Sequence, residues 1–163
     1  MNLIQPIKQP SENLCWYTAL LMLSRWRDQK LSLPTSDGTR KLEQIVLSKD
    51  ASVAKASQLF AREDIADYVR GLGMDVSALP VQPVTDAIKQ AKNGPFAYLA
   101  VFDAHFQHTL VIADVVNRHK DVRIQFVDPE VGKRQETEYY DFMLKHPPAW
   151  NSNRATIVVP LIH

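Results

Sequence analysis

Cysteine occurs once in the 163 residues, at Cys15. A lone cysteine rules out an internal disulfide and a thiolate zinc site, so packing must hold the fold and the thiol is left for chemistry. Glycine is nearly as scarce: the five residues sit where turns or helix ends are expected, and none builds a phosphate-cradling loop or a dinucleotide fingerprint. No apolar run approaches membrane-spanning length, and the first ten residues carry Gln5, Pro6, Lys8, Gln9 and Pro10 where a secretory signal needs an uninterrupted apolar core. Charge of one sign is not in excess either. Lys plus Arg total 19 against 18 for Asp plus Glu, a formal charge of +1, which offers no broad basic face for nucleic acid. Internal repeats and low-complexity tracts are absent as well.

What is present, 45% hydrophobic and 23% charged residues, fits one ordinary domain over residues 1–163. From Cys15 to Arg27, the residues Trp16, Ala19, Leu20, Leu23 and Trp26 recur at steps of three and four, which predicts a central helix with a broad buried face. Ser11 and Asn13 are acceptable caps, and Pro10 excludes an earlier start, so Cys15 belongs in or near the first turn. Pro34 to Gly38 reads as turn chemistry. Short helices are expected around Leu42 to Val46 and Val53 to Phe60, and another from Glu63 to Leu72, closed at Gly71 and Gly73. Val76 to Leu79 reads as a short extended piece, and Val84 to Lys92 as a helix opened by Thr85 and Asp86. Beyond Gly94-Pro95 the pattern changes. Phe96 to Phe102, Thr109 to Val116, Val122 to Val127 and Ala155 to Leu161 are β-branched or aromatic runs, with a turn at Asn117 to Asp121 and one short helix from Glu138 to Lys145. A helical half followed by an antiparallel strand half is an α+β layout, with a cleft expected where the halves meet.

Chemistry centres on the thiol. At a helix N-terminus the unpaired amides and the macrodipole favour the thiolate, which makes Cys15 a nucleophile candidate. Gln9 lies six residues upstream, a spacing that lets its carboxamide fold back beside the sulfur; Gln5, with more chain and a proline between, is the weaker choice. A thiolate needs a proton partner, and of the five histidines His105 and His108 have suitable surroundings, His108 opening the run Thr109-Leu110-Val111-Ile112. Asp128 follows the next strand, twenty residues after His108, where antiparallel neighbours would bring the two together. A metal site from Asp103, His105 and His108 is disfavoured because strand alternation splays the ligands. Trp16, Trp26 and Trp150 read as core or cleft wall, and Tyr139 and Tyr140 as packing against the sheet.

Gln9, the Cys15-Trp16 helix start, Gly94-Pro95 leading into a strand, His108 at a strand mouth and Asp128-Pro129 together resemble the papain-like cysteine peptidases. The Asp128-Pro129 pair after a strand resembles the bacterial members, including the double-glycine leader peptidases and the plant-pathogen effector type, in which aspartate replaces papain's asparagine. The resemblance spans Gln9 to Gly132. Glu12-Asn13-Leu14 departs from papain's glycine-rich lead into the cysteine, and no glycine precedes His108. The resemblance implies a papain-like α+β fold and a peptidase without cofactor or metal. Cys15 would be the nucleophile, His108 the general base and then acid, and Asp128 the orienter. Gln9 would donate, with the Cys15 amide, to an oxyanion hole.

By the same analogy the chain is expected to act on a protein substrate as a bacterial effector or toxin module, delivered by a specialised secretion system into a target-cell cytoplasm or otherwise cytoplasmic. A cognate immunity or inhibitor protein would cover the cleft, and neither nucleic acid nor membrane is expected as a partner. The other readings are a cysteine-dependent deamidase or amidase on a protein or cell-wall amide, and a catalytically silent binding module.

Overall fold

The computed structural model describes residues 3–11, 14–47, 62–103, 106–150 and 153–162. In chain order the elements are α1 (Cys15–Lys30), α2 (Asp37–Leu47), α3 (Arg62–Arg70), β1 (Met74–Pro80), α4 (Val84–Asn93), β2 (Phe96–Asp103), β3 (Phe106–Arg118), β4 (Asp121–Asp128), β5 (Lys133–Glu138), α5 (Tyr139–Lys145) and β6 (Arg154–Pro160). The expected α+β layout is what the chain adopts. The stretch Val53 to Phe60, expected to be helical, lies outside the described residues. Among those described, no helix is long and apolar enough to cross a membrane.

Among the described residues, six strands form one antiparallel sheet in the order β1-β6-β2-β3-β4-β5. Side-chain alternation gives each strand two faces, and each face carries its own core. On one face Ala97, Leu99, Val111, Ala113, Val127 and Val158 pack with α1, α2 and α3. On the other, Phe96, Tyr98, Leu110, Ile112, Ile124 and Phe126 pack with α4 and α5. A register shift between Ile112 and Asp114 changes the phase of β3, which is why Ala113 and Val115 face opposite cores.

α1 is buried almost all round, from Trp16 through Ser24 and again at Trp26 and Asp28, because the sheet covers one side and α2 the other. Two of its buried polar residues, Ser24 and Asp28, are bonded across to α2 and to Ser36 just before it. Ser24 and Thr39 share a hydroxyl hydrogen bond at 2.5 Å. The Asp28 carboxylate accepts from the Thr39 hydroxyl at 2.7 Å and the Ser36 amide at 3.0 Å. These bonds tie the second half of the α1 spine to α2, and its N-terminus reaches the end of the sheet where β2 and β4 finish and β3 begins.

Several boundaries differ from the sequence reading, for local reasons. α1 runs to Lys30, and Leu14 occupies its N-cap position with no side-chain cap; Ser11 therefore lies before the cap, its backbone carbonyl accepting from the Leu14 amide at 3.2 Å, and Asn13 lies outside the described residues. α2 takes in Asp37 and Gly38, which read as turn, because the Ser36 hydroxyl receives the Thr39 amide and opens the helix there. α4 begins after Pro83 without a side-chain cap, so Thr85 and Asp86 lie inside it. β1 is longer than Val76 to Leu79, since all seven of its residues pair with β6. β5 was not expected at all: Lys-Arg-Gln-Glu-Thr-Glu has no apolar residue, and it forms by pairing with β4. Tyr140 and Trp150 are substantially exposed, whereas Tyr139, Trp16 and Trp26 are buried.

Candidate active site

Cys15 is the first residue of α1, between the buried Leu14 and Trp16, and is itself half-buried. Its amide belongs to the first helical turn, where no intrahelical acceptor exists. The apolar neighbours pull the helix start down onto the sheet, and the thiol, at the end of the spine, meets His108.

His108 is in β3 opposite Ala100 of β2, and its ring is largely shielded, with 12% of the side chain exposed. Nε2 lies 2.7 Å from Oδ1 of Asp128, the last residue of β4. A second hydrogen bond joins His108 to Cys15. Because Asp128 occupies Nε2, the thiol is served by the other ring nitrogen, Nδ1. Nucleophile, base and orienter candidates thus form one unbroken chain of contacts.

The electrostatics follow. Burial, the largest influence on His108, disfavours its charged form. It is outweighed by the hydrogen bonds to Asp128 and Cys15 and by the charge of both, so the imidazole is pushed up from 6.5 to about 10. Burial also works against ionised Asp128 and is likewise outweighed, here by the bond from His108, the positive charge of His108 and the Glu130 amide, which donates to Oδ1 at 3.0 Å. The carboxyl is held below its usual range. His146, at the end of α5, packs against Phe142 and Phe126 at centroid distances of 4.8 and 6.1 Å. Burial lowers its pKa, the Asp128 charge opposing and His108 and Lys145 reinforcing the shift, so it stays neutral beside the imidazolium.

A pH dependence follows from the raised His108 value. His108 is the candidate acid for a leaving amine, and its proton is lost as pH rises through about 10. The alkaline limb of kcat/KM on a peptide substrate is expected nearer 10 than 6.5, and a limb centred near 6.5 would contradict the geometry. Stability moves with the same sign. A folded-state value above the unfolded one contributes stability that is complete below about 6.5 and lost as pH rises toward 10.

Gln9 comes to the same place by another route. Its backbone amide donates to the Pro129 carbonyl at 2.7 Å, directly after Asp128. Its Nε2, which carries two hydrogens, donates one to the Ser11 carbonyl at 2.9 Å. Gln5, the weaker alternative, lines a shallow cleft with Arg25, Asp28, Thr39 and Glu43 on the α1–α2 side. His105 lies outside the described residues. Among the described residues, the one group with three metal-ligand atoms mutually within 4.8 Å is His108, Asp128 and Glu130. Its first two members are already joined to each other by a hydrogen bond, so the group reads as an acid–base pair with an exposed neighbour. Two participants escaped the sequence reading, His146 and Gly132. The glycine carried a signal, since it closes the turn after Asp128-Pro129, whereas His146 carried none.

The chain belongs to the papain-like cysteine protease AvrRpt2 family, whose model matches residues 2–146. No curated protein matches the sequence. Family and fold agree: this is a cysteine peptidase, a hydrolase, with the papain-like α+β arrangement of a helical side and an antiparallel sheet.

Proposed function

From this family membership we propose that the chain cuts peptide bonds in a protein substrate through a Cys15-His108-Asp128 triad. The observation that carries the reading is the continuous contact from thiol to imidazole to carboxylate. Cys15 thiolate attacks the carbonyl carbon, and the carbonyl electron pair moves onto oxygen, where the Cys15 amide and the Gln9 carboxamide are the proposed donors. As the intermediate collapses, His108 gives its proton to the departing amine. The same imidazole then takes a proton from water, whose oxygen attacks the thioester and releases acid and thiolate. Asp128 holds the ring and stabilises its charge throughout.

The biological setting in this proposal is that of a bacterial effector or toxin module, delivered by a specialised secretion system into a target-cell cytoplasm and held in check by a cognate immunity or inhibitor protein over the cleft. Support comes from the family. A target-cell lysate treated with the active protein should gain new fragments that the Cys15→Ala form does not produce. Intact masses that shift slightly without fragments would assign deamidation instead, and no difference would overturn catalysis on protein. Equal bacterial growth on expressing the two forms would remove the toxin role.

A further inference from the structure

The turn that ends β4 does two things at once. Asp128 Oδ1 holds His108, and the Asp128 carbonyl accepts the amides of Val131 and Gly132 at 3.0 and 2.8 Å, which closes the loop tightly. On the same turn the Pro129 carbonyl takes the backbone amide of Gln9. Beside it, Lys8 lies flat against Gly132. A Cβ at position 132 would stand 2.4 Å from Lys8 Cβ, 2.8 Å from its Cα and 3.0 Å from its nitrogen, and Gly132 has φ +72°. Only glycine satisfies both the left-handed backbone and the close approach. The other end of this N-terminal strap is fastened by Ile4, buried in the core that α1 shares, with Ile7 packed against that core.

We propose that Gly132 is a positioning residue for catalysis: by admitting the backbone of Lys8 against the Asp128–Gly132 turn, it seats the Gln9 carboxamide at the oxyanion. One turn thereby fixes both the orienter of the imidazole and the donor to the developing charge, so the two halves of the machinery keep a constant relative geometry. The inference rests on the proposed oxyanion role of Gln9. It goes beyond that role in making the donor's placement depend on a contact between segments far apart in the chain. Papain-like chemistry needs such a donor held in place before the charge develops, since reorganisation during the reaction would forfeit much of its effect.

Gly132→Ala puts a methyl group into Lys8, and Gly132→Asn does the same with a residue that accepts the left-handed backbone more readily, separating steric displacement from strain. Both variants are expected to lower kcat on a peptide substrate by about tenfold or more, with KM within about twofold, and to weaken a peptide aldehyde, whose hemithioacetal oxygen occupies the oxyanion position, by a lesser factor. The rate at which iodoacetamide alkylates Cys15 needs the thiol–imidazole pair and no oxyanion donor, so it should stay within about twofold. In a Gln9→Ala background the Gly132→Ala change should cost nothing further, a non-additivity that a general structural defect would not produce. Ile4→Ala loosens the strap from its far end and should act in the same direction without touching the turn, which keeps the test open if the glycine variants do not fold. Gln9→Ala with unaltered kcat would remove the oxyanion role itself. Gln9→Ala impaired while Gly132→Ala and Ile4→Ala retain full kcat, or additive losses in the double variant, would overturn the positioning role.

Discussion

Cys15→Ala is expected to reduce peptide turnover by about 10⁴-fold or more while the protein still melts as a folded domain. No other thiol exists in the chain to take over, and water cannot form the thioester. The fold should survive because the sulfur contributes little to packing: Cys15 is half-buried at the first position of α1, and the anchoring is done by its neighbours Leu14 and Trp16, both almost wholly enclosed. Alanine is also the strongest helix former, so the start of α1 is not weakened. One electrostatic trace should remain. Cys15 contributes both a hydrogen bond and a charge to the raised value of His108, so the imidazole in the variant should titrate lower than in the parent, still supported by Asp128. Turnover measured with a peptide substrate, melting by circular dichroism and the His108 titration by NMR read the three consequences separately. Retained turnover would end the assignment of the nucleophile. An unchanged His108 titration would mean that thiol and imidazole do not interact.

The parts of this arrangement that could be read in the chain are those with a one-dimensional signature. α1 was visible because Trp16, Leu20 and Leu23 repeat at helical spacing beside a proline that bars an earlier start, and this alone puts Cys15 at a helix N-terminus. His108 and Asp128 were visible because each borders an apolar run that reads as a strand, and antiparallel neighbours bring such borders together. The runs of β2, β3, β4 and β6 are apolar because both faces of the sheet are covered. β5 escaped because it is an edge strand whose stability comes from its partner. Glu136 bonds to Arg123 and Gln125 of β4, and Arg134 to Gln125, and charged residues on an edge also discourage pairing with another chain. The seat of Gln9 escaped for a different reason. It depends on one backbone hydrogen bond to Pro129 and on the missing side chain of Gly132, and no periodicity encodes contacts between remote loops. Gln9 was found through its distance in sequence from the cysteine, whereas its actual support is the turn after the aspartate.

His108→Ala should come close to Cys15→Ala in effect, a loss of about 10³-fold or more in kcat/KM, although the nucleophile is still present. The imidazole has two tasks. In the proposed mechanism it is the partner of the Cys15 thiol before attack, and during acylation it is the acid that lets the amine leave. Removing it takes away both, and it also leaves Asp128 as a mostly shielded carboxylate, 15% exposed, without the bond and charge that hold its pKa down. Residual turnover should therefore lose the alkaline limb that His108 creates near 10 and follow hydroxide instead. Iodoacetamide alkylation of Cys15 near neutral pH should slow in parallel, because the thiol then ionises without a cationic neighbour. Asp128→Asn provides the calibration. It keeps the shape and one hydrogen bond to the ring but withdraws the charge, so His108 should titrate lower, the alkaline limb should move toward neutral pH, and the loss in kcat/KM should be smaller than that of His108→Ala. A His108→Ala enzyme retaining more than about a tenth of the parent activity would show that the proton comes from elsewhere. Among the described residues, His146 also bears electrostatically on Asp128, so the double variant His108→Ala/His146→Ala would then lose what the single one kept.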